Sequence, residues 1–193
     1  MYGVINCLTS KHPEYNAVVG TQLGFILGMN LSDDRVTRLF HQKAHGIQSI
    51  DCYADKHCSL RIVAMTNTGH LLSYYNDQWT DKKVHDKFGL CCVLSHDGQR
   101  VATGGSDGKI VVFKLEETNI FEHHILCDSN LKWVWCLQFS YDGKFLFVSA
   151  SDGIVQMWSL RDLSIKRNYR GHNKSVASLA LFEFRPKQLQ QFN

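Results

Sequence analysis

The chain has 193 residues, 44% apolar and 11% aromatic: one domain's worth of sequence with ample material for a packed core. Its net charge of +3 is slight and no long Lys/Arg run occurs, so composition argues against a polyanion-binding face, and no nucleic-acid partner is expected. There is no 18-residue apolar stretch and no charged-then-apolar leader, so membrane insertion is not expected either.

Apolar runs of strand length recur in sets of three. The first set covers residues 5–8, 17–19 and 24–27; the second 47–52, 61–65 and 71–75. The third covers 90–94, 100–103 and 110–113, and the fourth 134–139, 145–149 and 155–158. These runs are nearly all apolar, as inner strands buried on both faces should be. A more charged run follows each set, at 38–41, 82–84, 121–126 and 165–169, which suits a wet outer edge.

Turn glycines keep time along the chain. Gly24, Gly69, Gly108 and Gly153 are separated by 45, 39 and 45 residues. Cys7, Cys52, Cys92 and Cys136 give steps of 45, 40 and 44. A period near 40 to 45 with Asp-Gly turns predicts β-propeller blades. The fold class is therefore all-β: about four blades plus one orphan strand at 176–181, forming an open or partial ring. The repeats fall near 4–45, 46–87, 88–131 and 132–172, with a partial copy at 173–182. Residues 1–182 form the arc, and 183–193 are expected to be a disordered tail.

The residues of the last two copies are the most informative. Asp107-Gly108 and Asp152-Gly153 each precede an aromatic, Phe113 and Trp158, placed six residues after the aspartate. Thr103 lies four before Asp107, and Gly171-His172 opens the last copy. This wording resembles the WD repeat. A closer resemblance rests on Lys132-Trp133-Val134-Trp135, on 165–181, on Thr66-Asn67-Thr68-Gly69, and on Leu90-Cys91-Cys92 with His85 ahead of it. Ile5-Asn6-Cys7 with His12-Pro13 downstream adds to it. Over about residues 4–182 the chain is similar to the G-protein-β-like (lethal with sec thirteen protein eight) subunit family of target-of-rapamycin kinase complexes. That family has seven blades, so about three are expected to be missing at the front, and 183–193 match nothing in it.

The resemblance implies a buried network in each blade: a histidine before the first strand, an aspartate in a turn, a Ser/Thr and a tryptophan. His85, Thr103 and Asp107 match in the third repeat, with Phe113 in place of the tryptophan; Phe has no donor. Ser149, Asp152 and Trp158 match in the fourth, without a histidine and with a turn one residue shorter. His172 matches in the last copy. No network is whole, so Asp152 is expected to find backbone N–H groups or water.

The resemblance also implies a non-catalytic scaffold subunit that braces the kinase domain of a target-of-rapamycin complex in nutrient-responsive growth signalling. The alternative is a WD-repeat adaptor of a ubiquitin ligase, coat or chromatin complex. Trp133 sits in the loop leading into its blade, where propellers present partner surfaces, and Trp is enriched at interface hot spots. Lys132, Lys87, Phe88 and Asn173 hold comparable positions and are weaker candidates. A cytoplasmic location follows from cysteines read as reduced packing groups.

No catalytic residue, metal ligand or cofactor is expected. His123, His124 and Cys127 cluster without a base-and-orienter frame. Cys52, His57 and Cys58 lack a fourth zinc ligand. Gly104-Gly105 reads as a strand-to-strand turn, because no helix follows to hold a phosphate. Leaving one blade face bare forgoes about 600 Å² of apolar contact, on the order of 15 kcal/mol as an upper bound. The open arc is thus expected to be poorly stable or self-associating in isolation.

Overall fold

The computed structural model describes residues 3–10, 14–30, 32–41, 43, 45–54, 60–115, 120–127 (backbone alone) and 132–182. Among them the regular structure is all strand, in four antiparallel four-stranded sheets laid down in chain order. Sheet one holds β1 (Ile5–Thr9), β2 (Ala17–Thr21), β3 (Phe25–Asn30) and β4 (Arg35–His41). Sheet two holds β5 (Ile47–Ala54), β6 (Leu60–Thr66), β7 (His70–Tyr75) and β8 (Gln78–Lys83). Sheet three holds β9 (Gly89–Leu94), β10 (Arg100–Gly105), β11 (Lys109–Leu115) and β12 (Ile120–Cys127). Sheet four holds β13 (Val134–Phe139), β14 (Phe145–Ala150), β15 (Val155–Ser159) and β16 (Ser164–Tyr169).

The sheets stand face to face as successive blades. First strands meet in sequence, β1 against β5, β5 against β9 and β9 against β13. Because side chains alternate across a strand, each middle sheet feeds two interlayers at once. Ile110 and Val112 of β11 join Val134, Leu137, Leu146 and Trp158 on the sheet-four side. Val111, Phe113 and Leu115 of the same strand join Val63, Met65 and Leu71 of sheet two. Val18 and Ile26 meet Ile47, Ile50, Ile62 and Leu72 in the layer between sheets one and two.

The series of blades is open. β9 is buried along almost its whole length, whereas β1 is mostly exposed and β13 is half-buried at alternate positions. Val4, Ile5 and Leu8 are 65%, 50% and 64% exposed on the bare side of sheet one. Residues 176–181 join no sheet. Val176 donates its N–H to the Ala150 carbonyl at 3.3 Å, and the Cys136 thiol reaches the Leu179 backbone.

Hydrogen-bond register sorts the two sequence clocks. Gly24, Gly69, Gly108 and Gly153 each donate N–H three residues back, at φ between 77° and 82°. At Gly69 a Cβ would stand 2.3 Å from the His85 carbonyl oxygen, so the turn needs glycine for space as well as for φ. The cysteine clock is looser than its spacing suggests. Cys7 pairs with Gly20, Cys91 with Gly104 and Cys136 with Ser149, which makes these three equivalent. Ser49, paired with Met65, holds that place in sheet two; Cys92 is one residue further along, and Cys52 three. Cysteine and serine both fit there because the position is small and touches the neighbouring blade.

Those positions also tie the blades together. Ser49 Oγ accepts the Cys92 N–H at 3.1 Å, and the Cys91 thiol donates to the Val134 carbonyl at 3.5 Å. Two residues beyond Ser49, the buried Asp51 accepts the Leu94 N–H at 3.0 Å through one oxygen and its neighbour Cys52's N–H through the other. Removing that carboxylate strands two buried donors. Asp51→Ala should therefore lower stability by about 2–4 kcal/mol. Urea unfolding followed by circular dichroism checks it; an unchanged midpoint would contradict the clamp.

Candidate functional site: the lead-in loops and the blade networks

Each blade begins with a bulge. The ladder slips between Ile5 and Cys7, between Ile47 and Ser49, and between Val134 and Cys136; in sheet three Gly104 and Gly105 pair with Cys91 and Gly89. Asn6, Gln48, Leu90 and Trp135 are the residues left over. A bulge re-aims its side chain, so these four occupy one repeated position where the blades open. The N–H groups of Gln22, Asn67, Ser106 and Ser151 hold the lead-in loops down, on the carbonyls of Val4, Gly46, Phe88 and Trp133.

The partner candidates of the sequence lie on this face. Phe88 is 61% and Trp133 47% exposed, while Lys87 and Lys132 are exposed beside them. The Phe88 N–H donates to Ser106 Oγ and the Trp133 N–H to Ser151 Oγ, fixing both backbones. Trp133 and Trp135 pack tilted, ring centres 5.4 Å apart. Asn173 is exposed beyond the fourth blade. Asn67, Thr68, Lys83, Lys87, Phe88 and Trp133 line one cleft of about 550 Å³ spanning blades two to four. Two buried polar atoms near it have no hydrogen-bond partner among the described residues, Asn67 Oδ1 and Trp135 Nε1.

The third blade brings His85, Thr103 and Asp107 together. His85 Nδ1 lies 3.0 Å from Asp107 Oδ1, and its Nε2 lies 3.0 Å from Thr103 Oγ1. Burial holds the imidazole below its ordinary pKa, against the pull of Asp107, so the ring is neutral at pH 7. A carboxylate only accepts, so Nδ1 carries the proton and Nε2 receives the Thr103 hydroxyl. Asp107 also accepts the Lys109 and Asp86 N–H groups, tying turn to lead-in loop. Phe113, 2% exposed, closes the layer by packing, with the Lys82 ammonium 5.0 Å from its ring centre.

The fourth blade does not build the same arrangement, for a reason of register. The Gly108 and Gly153 turns have the same span, so the position of Thr103 is held by Val148, not by Ser149. Ser149 is one residue on and faces the other side of the sheet. Its hydroxyl donates to the Cys136 carbonyl at 3.5 Å. Trp158 instead donates its indole N–H to Gln156 Oε1 at 3.0 Å, two residues back on the same face. Asp152 Oδ1 accepts the Ile154 N–H at 3.0 Å. His172 is exposed, with its carbonyl over Gly153.

The second blade carries a substitute that its lack of an Asp-Gly turn concealed. Thr68 stands where Asp107 stands, and its hydroxyl meets His45 Nδ1 at 2.7 Å and Thr66 Oγ1 at 3.1 Å. Lining up the turn glycines would have exposed Thr68; Asp51 gave no comparable signal.

The thiols behave as packing groups. Burial raises the pKa of Cys7 to about 12 and also raises those of Cys91, Cys92 and Cys136, so none is a thiolate at neutral pH. His57 and Cys58 lie outside the described residues. His123, His124 and Cys127 lie in β12, of which the backbone alone is described. Among the described residues no three His, Cys, Asp or Glu side chains gather to hold a metal, and no helix is long and apolar enough to cross a membrane.

The comparisons agree with this geometry. The WD domain, G-beta repeat model matches residues 81–114 and 116–159. The first match starts inside the outer strand of sheet two and the second just ahead of that of sheet three, and each ends in the third strand of the following sheet, so the matched repeats are offset by one strand from the blades. Human apoptotic protease-activating factor 1 is 32% identical over 93 residues, 48% of this chain and 7% of that protein. The DNA polymerase alpha-binding protein of Saccharomyces cerevisiae is 29% identical over 120 residues, 59% of this chain and 12% of that protein. Zebrafish (Danio rerio) guanine nucleotide-binding protein subunit beta-5b is 25% identical over 149 residues, 72% of this chain and 36% of that protein. The chain thus spans well under half the length of each relative.

The neutral His85 gives a pH signature. Its folded pKa lies below the unfolded value near 6.5, so its contribution is complete above about pH 6.5. Below that, the unfolded chain takes up a proton that the folded state refuses, and stability falls. The urea midpoint should drop between about pH 7.5 and about pH 5.5, and drop less in His85→Gln. Parallel pH profiles for the two proteins would contradict the assignment.

Proposed function

We propose that this chain is a non-catalytic interaction subunit that binds and braces the kinase domain of a target-of-rapamycin complex in the cytoplasm. The mechanism is display. Sheets buried on both faces make a stiff frame, and lead-in loops anchored to it hold side chains at fixed spacing. The observation that carries the reading is the pair of exposed rings, Phe88 and Trp133, on backbones pinned by Ser106 and Ser151. Large aromatics held on a rigid mount lose little entropy on docking.

The choice of kinase rests on the sequence resemblance over about residues 4–182. The relatives matched by comparison bear names that point away from that kinase, among them a polymerase-binding protein and a guanine nucleotide-binding protein subunit, which supports a second reading: an adaptor for a different complex. Affinity capture of the tagged full chain from cells separates the two. Recovery of the target-of-rapamycin kinase, falling by about tenfold in Trp133→Ala, is the expected result. Recovery of another complex without the kinase would overturn the first reading in favour of the second.

A further inference from the structure

The cleft between blades two and four has a composition that specifies what it takes. Phe88 and Trp133 project from neighbouring blades and give it apolar walls. Lys83 and Lys87 line it with Asp86, whose carboxylate is held by Lys109 at 2.8 Å. Lys83 donates to the Thr68 carbonyl. Lys87 makes no ion pair among the described residues, so it is the cation left to meet an incoming charge. Asn67, in the wall, keeps its Oδ1 out of solvent without a donor. An acceptor of that kind is destabilising until something donates to it.

We infer that this cleft receives a short acidic segment of a partner protein. One large apolar side chain sits between Phe88 and Trp133, a carboxylate lies beside Lys87, and an N–H of the segment reaches Asn67 Oδ1 as the amide turns about its Cβ–Cγ bond. This rests on the reading that the lead-in face is where the chain holds its partner, but not on which partner that is. A nucleic acid fits less well. Its charge repeats at every residue, and the cleft answers with two lysines and an aspartate instead of a basic track with stacked rings in series.

Fluorescence anisotropy with the full chain tests it, using a fluorescein-labelled Asp-Glu-Leu-Phe-Asp-Glu peptide and its Lys-Arg-Leu-Phe-Lys-Arg counterpart. The acidic peptide should bind about tenfold more tightly than the basic one, and added salt should narrow that gap. Lys87→Glu and Trp133→Ala, both exposed changes, should each weaken the acidic peptide by about fivefold or more. Asn67→Leu should weaken binding while leaving the urea midpoint equal or higher, because it deletes an unsatisfied acceptor. Equal binding of both peptides, no binding of either, or variants that bind like the parent would overturn the inference. Tighter binding of a labelled oligothymidylate would assign the cleft to nucleic acid instead. Kinase capture that survives while the peptide fails sinks this cleft chemistry alone. Peptide binding without kinase capture sinks the kinase reading alone.

Discussion

Everything in this molecule depends on sheets that are apolar on both faces. A strand such as β11 cannot settle against one partner, because Ile110 and Val112 point one way while Val111, Phe113 and Leu115 point the other. Only a neighbour on each side removes both sets from water. That requirement stacks the blades in chain order and explains why β9, with a neighbour on each side, is buried almost throughout while β1 is mostly exposed. The same requirement makes the rows of small residues useful. Gly20 and Gly104 leave room for Ile47 and Val134 of the next blade, which a Cβ would meet at 2.4 Å in each case.

The polar groups follow from that layering. Inner strands carry few side chains able to satisfy one another, so the ones present are placed where backbone is exposed between blades. Ser49 and Asp51 reach the backbone of β9, and Asn6 donates to the Ile47 carbonyl at 3.0 Å. The histidine networks sit at the other recurrent weak point, where a lead-in loop crosses a turn. Three blades solve it in three ways: His85 with Asp107, His45 with Thr68, and Ser151 with the Trp133 N–H. The loops so anchored are the ones that carry Phe88 and Trp133, which links stability of the turns to presentation of the rings.

Several features were legible in the chain because they are local. The four turn glycines need positive φ wherever the blade is placed, so their spacing reported the repeat directly. The apolar triplets reported inner strands, and the charged runs reported outer ones. The third-blade network was also readable, since His85, Thr103 and Asp107 keep the residue types and spacing that hydrogen bonding needs. Other features were not legible because they depend on which face a residue occupies. Ser149 matches Thr103 by residue type, yet one step of register turns it to the opposite side. The cysteine spacing joined Cys52 to positions three residues away from its own.

The sequence by itself determined the period, the number of blades, the inner and outer strands and the candidate rings, because turn chemistry and two-residue alternation are written residue by residue. The tertiary structure alone decided the rest. It decided which small residues face a neighbour, which carboxylate clamps two blades, and which loops converge on one cleft. Those are relations between residues about 40 positions apart, and they exist only once register and blade-to-blade packing fix each face.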